Sequence, residues 1–204
     1  MTDDPDYSVS NAKATANVQN ACAGGVPGRK WFVALVRNKY ERKCRDMLLE
    51  LGYEAFVASQ QEIHVYHCRK RHKVERIVIP AIVFLHATEK ERLQAMKQCP
   101  LIYHFLTNKA LVANDLGRHP YAVVPDYQME QLRFMLYHAE SQVNFTDHPL
   151  HVGERIRIVR GQLKGFEGNV MHSDNTTYVV ACLDFLGCAM VTVSPNDIER
   201  AQTE

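Results

Sequence analysis

Ile77-Val78-Ile79-Pro80-Ala81-Ile82-Val83-Phe84-Leu85-His86-Ala87 is the most apolar run of the chain. It is too short to cross a bilayer, which takes about 20 residues. Its β-branched content predicts a strand buried on both faces rather than a helix. Pro80 has no N–H to give to a sheet ladder, so it should mark where the chain enters that strand from a looser approach. The sequence from Arg29 to Tyr137 then reads as elements that pair with this strand or cover it.

Upstream, Lys30–Val36 is aromatic and β-branched and predicts a first strand. Residues 40–52 switch to helical period: Cys44, Met47, Leu48 and Leu51 share one face, and Gly52 stops the helix. Residues 53–58 read as a second strand. Residues 63–66 and 74–77 read as the arms of a hairpin whose tip, 68–73, is basic. Downstream, Thr88 stands as an N-cap with Glu91 as its capping-box partner, opening a helix to about Gln98. A short strand at 101–106 and an irregular stretch at 108–125 follow. A helix over 126–139 then carries Met129, Leu132, Met135 and Leu136 on one face, with Pro125 at its first turn. This order predicts an α+β sandwich, one antiparallel sheet with helices packed on it.

Beyond it the pattern changes. Residues 140–149 are polar and read as a linker. After them no helical period appears, only short strands near 155–159, 169–172, 176–183 and 189–193, which predicts a small all-β barrel. The expected organisation is a disordered tail (1–28), an α+β domain (29–139), a linker (140–149) and the barrel (150–204).

The 204 residues suit one large or two smaller domains. A hydrophobic content of 46% and a charged content of 23% are ordinary for a soluble globular protein. A net charge of +1 means that any nucleic-acid contact must come from local clusters. The six cysteines (Cys22, Cys44, Cys68, Cys99, Cys182 and Cys188) form no CxxC pair, a pattern that suits a reducing cytoplasm better than a disulfide scaffold. Asp3, Asp4 and Asp6 and the lack of an apolar core argue against a signal peptide. The expectation is a cytoplasmic protein with no membrane partner.

No Gly-rich phosphate loop, nucleophile elbow or HExxH helix is present, so no catalytic residue and no cofactor are expected. His64, His67, Cys68 and His72 make the one metal-like cluster. On a strand, 64 and 67 face opposite sides and His72 lies beyond the turn, whereas zinc needs converging ligands. No metal site is expected there; a metal-dependent enzyme is the weakest reading.

Basic residues do gather. Arg37, Lys39, Arg42, Lys43 and Arg45 follow the first strand, with Tyr40 among them as a stacking surface. The hairpin tip holds Arg69, Lys70, Arg71 and Lys73, with Arg76 beyond, a density of like charge that suits a polyanion. In the C-terminal part, Gly153 precedes a strand that ends in Arg160-Gly161. Lys164-Gly165-Phe166-Glu167-Gly168 then lead into the next strand, the glycines allowing positive φ and a close crossing of backbones.

This last segment resembles the KOW motif. Together with Trp31-Phe32-Val33, Glu41, Ile79 to Phe84 and Cys99-Pro100, it makes the chain from Lys30 to Arg200 resemble the NusG family of transcription elongation factors. The 108–125 insertion and the stretch from Val124 to Leu132 are more specifically similar to the UpxY-type paralogues, antiterminators of surface-polysaccharide operons. The resemblance implies an NGN-like domain that lays an apolar depression on the clamp of the RNA polymerase largest subunit. Leu35, Ile82 and Phe84 stand at the matching positions. Where the family usually has Pro-Gly-Tyr or Pro-Asn-Tyr, this chain has Pro80-Ala81-Ile82. It also implies contact of Arg37, Lys39, Arg42 and Lys43 with non-template single-stranded DNA or nascent RNA. In general members a loop matching Phe185-Leu186-Gly187 takes a ribosomal protein or a termination factor. The alternative is a KOW-type RNA-binding translation or ribosome-associated factor.

Overall fold

The computed structural model describes residues 28–65, 71–147, 153–173 and 176–201, with the side chains of 63–65 and 71–73 left aside. The chain runs β1 (Lys30–Val36), α1 (Glu41–Glu50), β2 (Glu54–Phe56), β3 (Ser59–Val65), β4 (Arg71–Ile77), β5 (Ile82–Ala87), α2 (Glu89–Gln98), β6 (Ile102–Phe105), β7 (Val123–Val124) and α3 (Asp126–His138). It continues through β8 (Asn144–Thr146), β9 (Arg155–Ile158), β10 (Glu167–Ser173), β11 (Thr176–Leu183), β12 (Gly187–Thr192) and β13 (Ile198–Arg200). This is an α+β protein with three described helices, and its sheets are antiparallel throughout.

β1 and β5 lie at the centre of the first sheet, in the order β2-β5-β1-β6, with β7 pairing the other half of β1's free edge. The register sets Trp31 against His86, Val33 against Phe84 and Leu35 against Ile82. Because side chains alternate, these six share one face, while Phe32, Ala34, Val36, Val83, Leu85 and Ala87 share the other. The first face is covered by Met129, Leu132, Met135 and Leu136 of α3. The second takes Cys44 and Leu48 of α1 and Ala95 of α2, with Cys99 just after it. A strand buried on both faces is what the run of apolar residues predicted.

The run itself is not one strand. Ile77 closes β4, residues 78–81 turn, and β5 opens at Ile82. Pro80 cannot donate to a ladder and Ala81 takes the left-handed φ of +61°, so the break falls where the proline is. β3 and β4 form a separate two-stranded sheet, longer than the expected hairpin, with Arg71 and Lys73 in the β4 ladder instead of at a tip. Arg69, Lys70, His67 and Cys68 lie outside the described residues, as do residues 1–27, where the tail was expected.

The helices follow their signals. Thr88 accepts the Glu91 N–H at 3.3 Å, and Glu91 Oε2 accepts the Thr88 N–H at 2.8 Å, a complete capping box. Pro125 is the N-cap of α3, one step earlier than expected. In α1, Cys44 and Leu48 are fully buried and Met47 is half-buried, but Leu51 is 42% exposed. The helix has ended at Glu50, and Gly52 (φ +84°) turns the chain away from the core.

The C-terminal strands make a six-stranded sheet in the order β13-β9-β10-β11-β12-β8. Two expectations need correction here. Asn144–Thr146, within the segment read as a linker, pairs with β12 as β8. Cys182 and Cys188, directly opposed in the β11–β12 register, are joined by a disulfide, so the cysteines are not all free thiols. Period-two burial in β11 puts Val179, Ala181 and Leu183 inside, and they share one apolar cluster with α3. Among the described residues, no helix is long and apolar enough to cross a membrane.

Candidate functional site

Leu35 and Ile82 sit opposite each other at the end of the β1–β5 ladder, half-buried. Next to them the chain makes a strained turn. Ala81 donates its N–H to Glu41 Oε1 at 2.7 Å, and its carbonyl accepts the Val36 N–H at 2.9 Å. Glu41 is fully buried, and its Oε2 meets no hydrogen-bond partner. A buried carboxylate on the first turn of α1 thus fixes the loop that carries Ile82. Phe84 differs from its partners in the expected depression. It is 0% exposed, packed with Phe56 at 6.2 Å between ring centroids. Phe84 is a core residue, since its position two along from Ile82 carries it under α3.

The chain leaves Leu35 straight into the basic segment. Arg37, Lys39, Tyr40, Arg42 and Lys43 are all exposed. Arg37 lies over the Tyr40 ring at 5.6 Å, holding that ring against a cation instead of leaving it free. Lys39 has φ +72° and turns the chain into α1. Several cations expected to face a polyanion are already engaged. Glu75 on β4 takes Arg42 at 3.2 Å, Arg45 at 3.3 Å and the Ser59 hydroxyl at 2.5 Å. Arg76 pairs with Glu62 and donates to the Val143 carbonyl at 2.6 Å. Glu75 therefore fastens the base of the hairpin to α1, a role with no signal in the sequence. His64 and His72 are paired in the β3–β4 register. Among the described residues, no group of His, Cys, Asp or Glu side chains could hold a metal.

In the C-terminal sheet, Gly161 (φ +79°) and Gly165 (φ +91°) frame the turn between β9 and β10, where Arg160 and Lys164 are exposed. Gly153 hydrogen-bonds to the Val170 carbonyl at 2.7 Å. A Cβ on Gly168 would stand 2.6 Å from the Phe166 ring and 2.9 Å from the Val180 carbonyl, so only glycine fits that crossing. Phe166 is buried and stacks on Phe134 of α3 at 6.0 Å. Two glutamines one turn apart on α3 complete the contact. Gln128 Oε1 accepts the Asp184 N–H at 3.0 Å, and Gln131 Nε2 donates to the Glu167 carbonyl at 2.9 Å. Phe185 is exposed, Leu186 packs against the shared apolar cluster, and Gly187 lies so close to β8 that a Cβ would stand 2.2 Å from the Thr146 carbonyl. The expected partner loop is thus partly turned onto α3. Gln128, Gln131 and Gln60 were missed by sequence reasoning, although for the first two a glutamine beside the apolar stripe of a helix is a weak signal. Gln60, 4% exposed, serves the carbonyls of Ala139 and Ser141 and the Val143 N–H, fixing the exit from α3.

The arrangement offers surfaces for non-covalent binding, an apolar ladder end beside a basic helix, with a second sheet seated on α3. The model of the family described as "NusG: Transcription termination factor nusG" matches residues 29–133, just over half of the chain. The protein belongs to the NusG family. Among solved structures it is similar to one described as "Domain interaction in Thermotoga maritima NusG", at 15% identity and a TM-score of 0.44, covering 87% of this chain and 100% of that one. Two conformations of the MjSpt4:Spt5 complex are similar at 11% and 10% identity, with TM-scores of 0.28 and 0.29. Each covers 85% of this chain, and 99% and 97% of those chains respectively. Curated proteins give no match.

Proposed function

We propose that this protein is a non-enzymatic, cytoplasmic elongation factor that binds the clamp of RNA polymerase and acts as an antiterminator. The UpxY-like stretch from Val124 to Leu132 and the 108–125 insertion point to surface-polysaccharide operons. The observation that carries this reading is the half-buried Leu35–Ile82 pair, held by Glu41 and followed at once by exposed Arg37, Lys39 and Lys43. Apolar side chains left at the end of an otherwise covered sheet suit a helical partner, and adjacent lysines suit nucleic-acid phosphates. The six-stranded C-terminal sheet is read as the KOW barrel, with Gly161, Lys164, Gly165 and Gly168 as its motif and Phe185-Leu186-Gly187 as the loop toward a further partner.

The test is capture of core RNA polymerase by the full chain and by Ile82→Glu. Capture by the parent and loss in the variant, with unchanged circular dichroism, supports the reading. Tight binding of structured RNA with no capture of polymerase moves the protein to the translation-factor reading.

A further inference from the structure

The four cysteines described divide into two pairs of opposite character. Cys44 and Cys99 face each other at 3.6 Å between sulfurs, both fully buried between helices. Burial pushes the Cys44 thiol up, the state in which a thiol is inert. Cys182 and Cys188 are bonded, Cys188 buried and Cys182 half-buried at a position opposite in phase to Val179, Ala181 and Leu183. The bond lies one residue pair from the tip of the β11–β12 hairpin, beneath the closing pair Leu183–Gly187. That tip is what touches α3: Asp184 donates to Gln128, and Leu186 joins the apolar cluster that α3 shares. A covalent clamp therefore stands directly under the contact between the two halves of the molecule.

We infer that Cys182 and Cys188 form a reversible thiol–disulfide switch that sets how firmly the hairpin tip holds α3. That the bond is reversible and not a permanent staple rests on the proposed role in transcription, since disulfides of reducing compartments are transient or redox-sensing. The exchange partner is a low-molecular-mass disulfide such as glutathione disulfide. The Cys182 thiolate attacks one of its sulfurs, forms a mixed disulfide and releases one glutathione thiolate. The Cys188 thiolate then attacks Cys182 Sγ, forms the Cys182–Cys188 bond and releases the second glutathione. Two electrons pass from the cysteine sulfurs to glutathione, and the two thiol protons leave with them. In the reverse direction the hairpin loses its cross-link, and its tip is held by the ladder alone.

The experiment uses the full chain in glutathione buffers of graded redox ratio, without polymerase. Thiols are trapped by alkylation and assigned by peptide mass, and amide exchange is followed at Asp184 and along α3. The expected result is that Cys182 and Cys188 titrate together within the range glutathione can reach. Exchange of the Asp184 amide should quicken by about tenfold or more on reduction. The Cys182→Ser/Cys188→Ser protein should exchange at the reduced rate in every buffer. Three results would overturn the switch: thiols that never pair, a bond that glutathione never reduces, or a titrating bond with no change at Asp184. None of these bears on polymerase capture, so the switch and the transcription role fail separately.

Discussion

The Glu41 carboxylate accepts the backbone N–H of Ala81 at 2.7 Å, from the first turn of a helix to a left-handed alanine forty residues away. Left-handed geometry costs a residue with a Cβ about 1–2 kcal/mol. The hydrogen bond from the Ala81 N–H to Glu41 offsets part of that cost. Ala81→Gly should raise stability by about 0.5–1 kcal/mol, the relief of strain less the extra freedom of glycine in the unfolded chain. Glu41→Ala should lower it by about 2 kcal/mol or more, because the Ala81 N–H is left buried without a partner. Urea unfolding followed by the fluorescence of Trp31, the sole and buried tryptophan, reads both.

Phe84→Asp and Ile82→Glu should separate core from surface. A carboxylate at the 0% exposed Phe84 site costs about 4 kcal/mol or more and should unfold the first sheet. Ile82→Glu leaves the carboxylate half in water and should keep the fold while abolishing polymerase capture. Circular dichroism beside the pull-down distinguishes them, and a folded Phe84→Asp protein would contradict its placement.

Lys39→Ala/Lys43→Ala should weaken binding to single-stranded nucleic acid and flatten its salt dependence by about 1.4 in log–log slope, at roughly 0.7 for each phosphate the protein no longer neutralises. Arg42→Ala should change the slope less, because Arg42 is already paired with Glu75 at 3.2 Å. Fluorescence anisotropy at graded salt measures both. Equal slopes for the two proteins would sink the assignment.

Acid should loosen the start of α2. The Thr88 N–H, with the Arg29 guanidinium at 2.8 Å behind it, holds the Glu91 carboxyl down at about 2, below the ordinary 4.5. A carboxyl depressed by folding contributes its stability above the ordinary value and loses it as pH falls toward the depressed one. The parent should therefore lose this contribution between pH about 4.5 and 2. Glu91→Gln should start less stable and lose less over that window. Thermal melts at pH 6, 4 and 2.5 decide it, and parallel pH profiles would contradict the capping box.

Gly187→Ala should break the β12–β8 pairing, since the added carbon would stand 2.2 Å from the Thr146 carbonyl. The measurable outcome is faster exchange of the Asn144–Thr146 amides with β9–β10 unchanged. Unchanged protection there would place β8 elsewhere.

What the sequence displayed was local. The capping box at Thr88, the apolar stripe of α3 and the short strand over 176–183 each fit within a few residues, and each stands where its pattern put it. The candidate site was legible only as residue types. Lys39 and Lys43 stand exposed, whereas Arg42 and Arg76 are paired with Glu75 and Glu62, acids from the hairpin that no spacing rule links to them. Phe84 looked like a surface aromatic because the motif names positions, not depth, and depth depends on where α3 lies. The Cys182–Cys188 bond was hidden for the same reason, because opposition across a hairpin follows from register and not from cysteine spacing.

β8 also sets the length of a leash. Four residues, five Cα-to-Cα steps, separate Ala139, where α3 has ended, from Asn144, already hydrogen-bonded into the second sheet, a reach of roughly 17 Å at most. If β8 peels away from β12, the tether runs from Ala139 to Gly153, fourteen Cα-to-Cα steps and roughly 45–50 Å fully stretched. One three-residue strand thus keeps the span between α3 and the second sheet short. The longer span is reached only if the second sheet gives up a strand of its own.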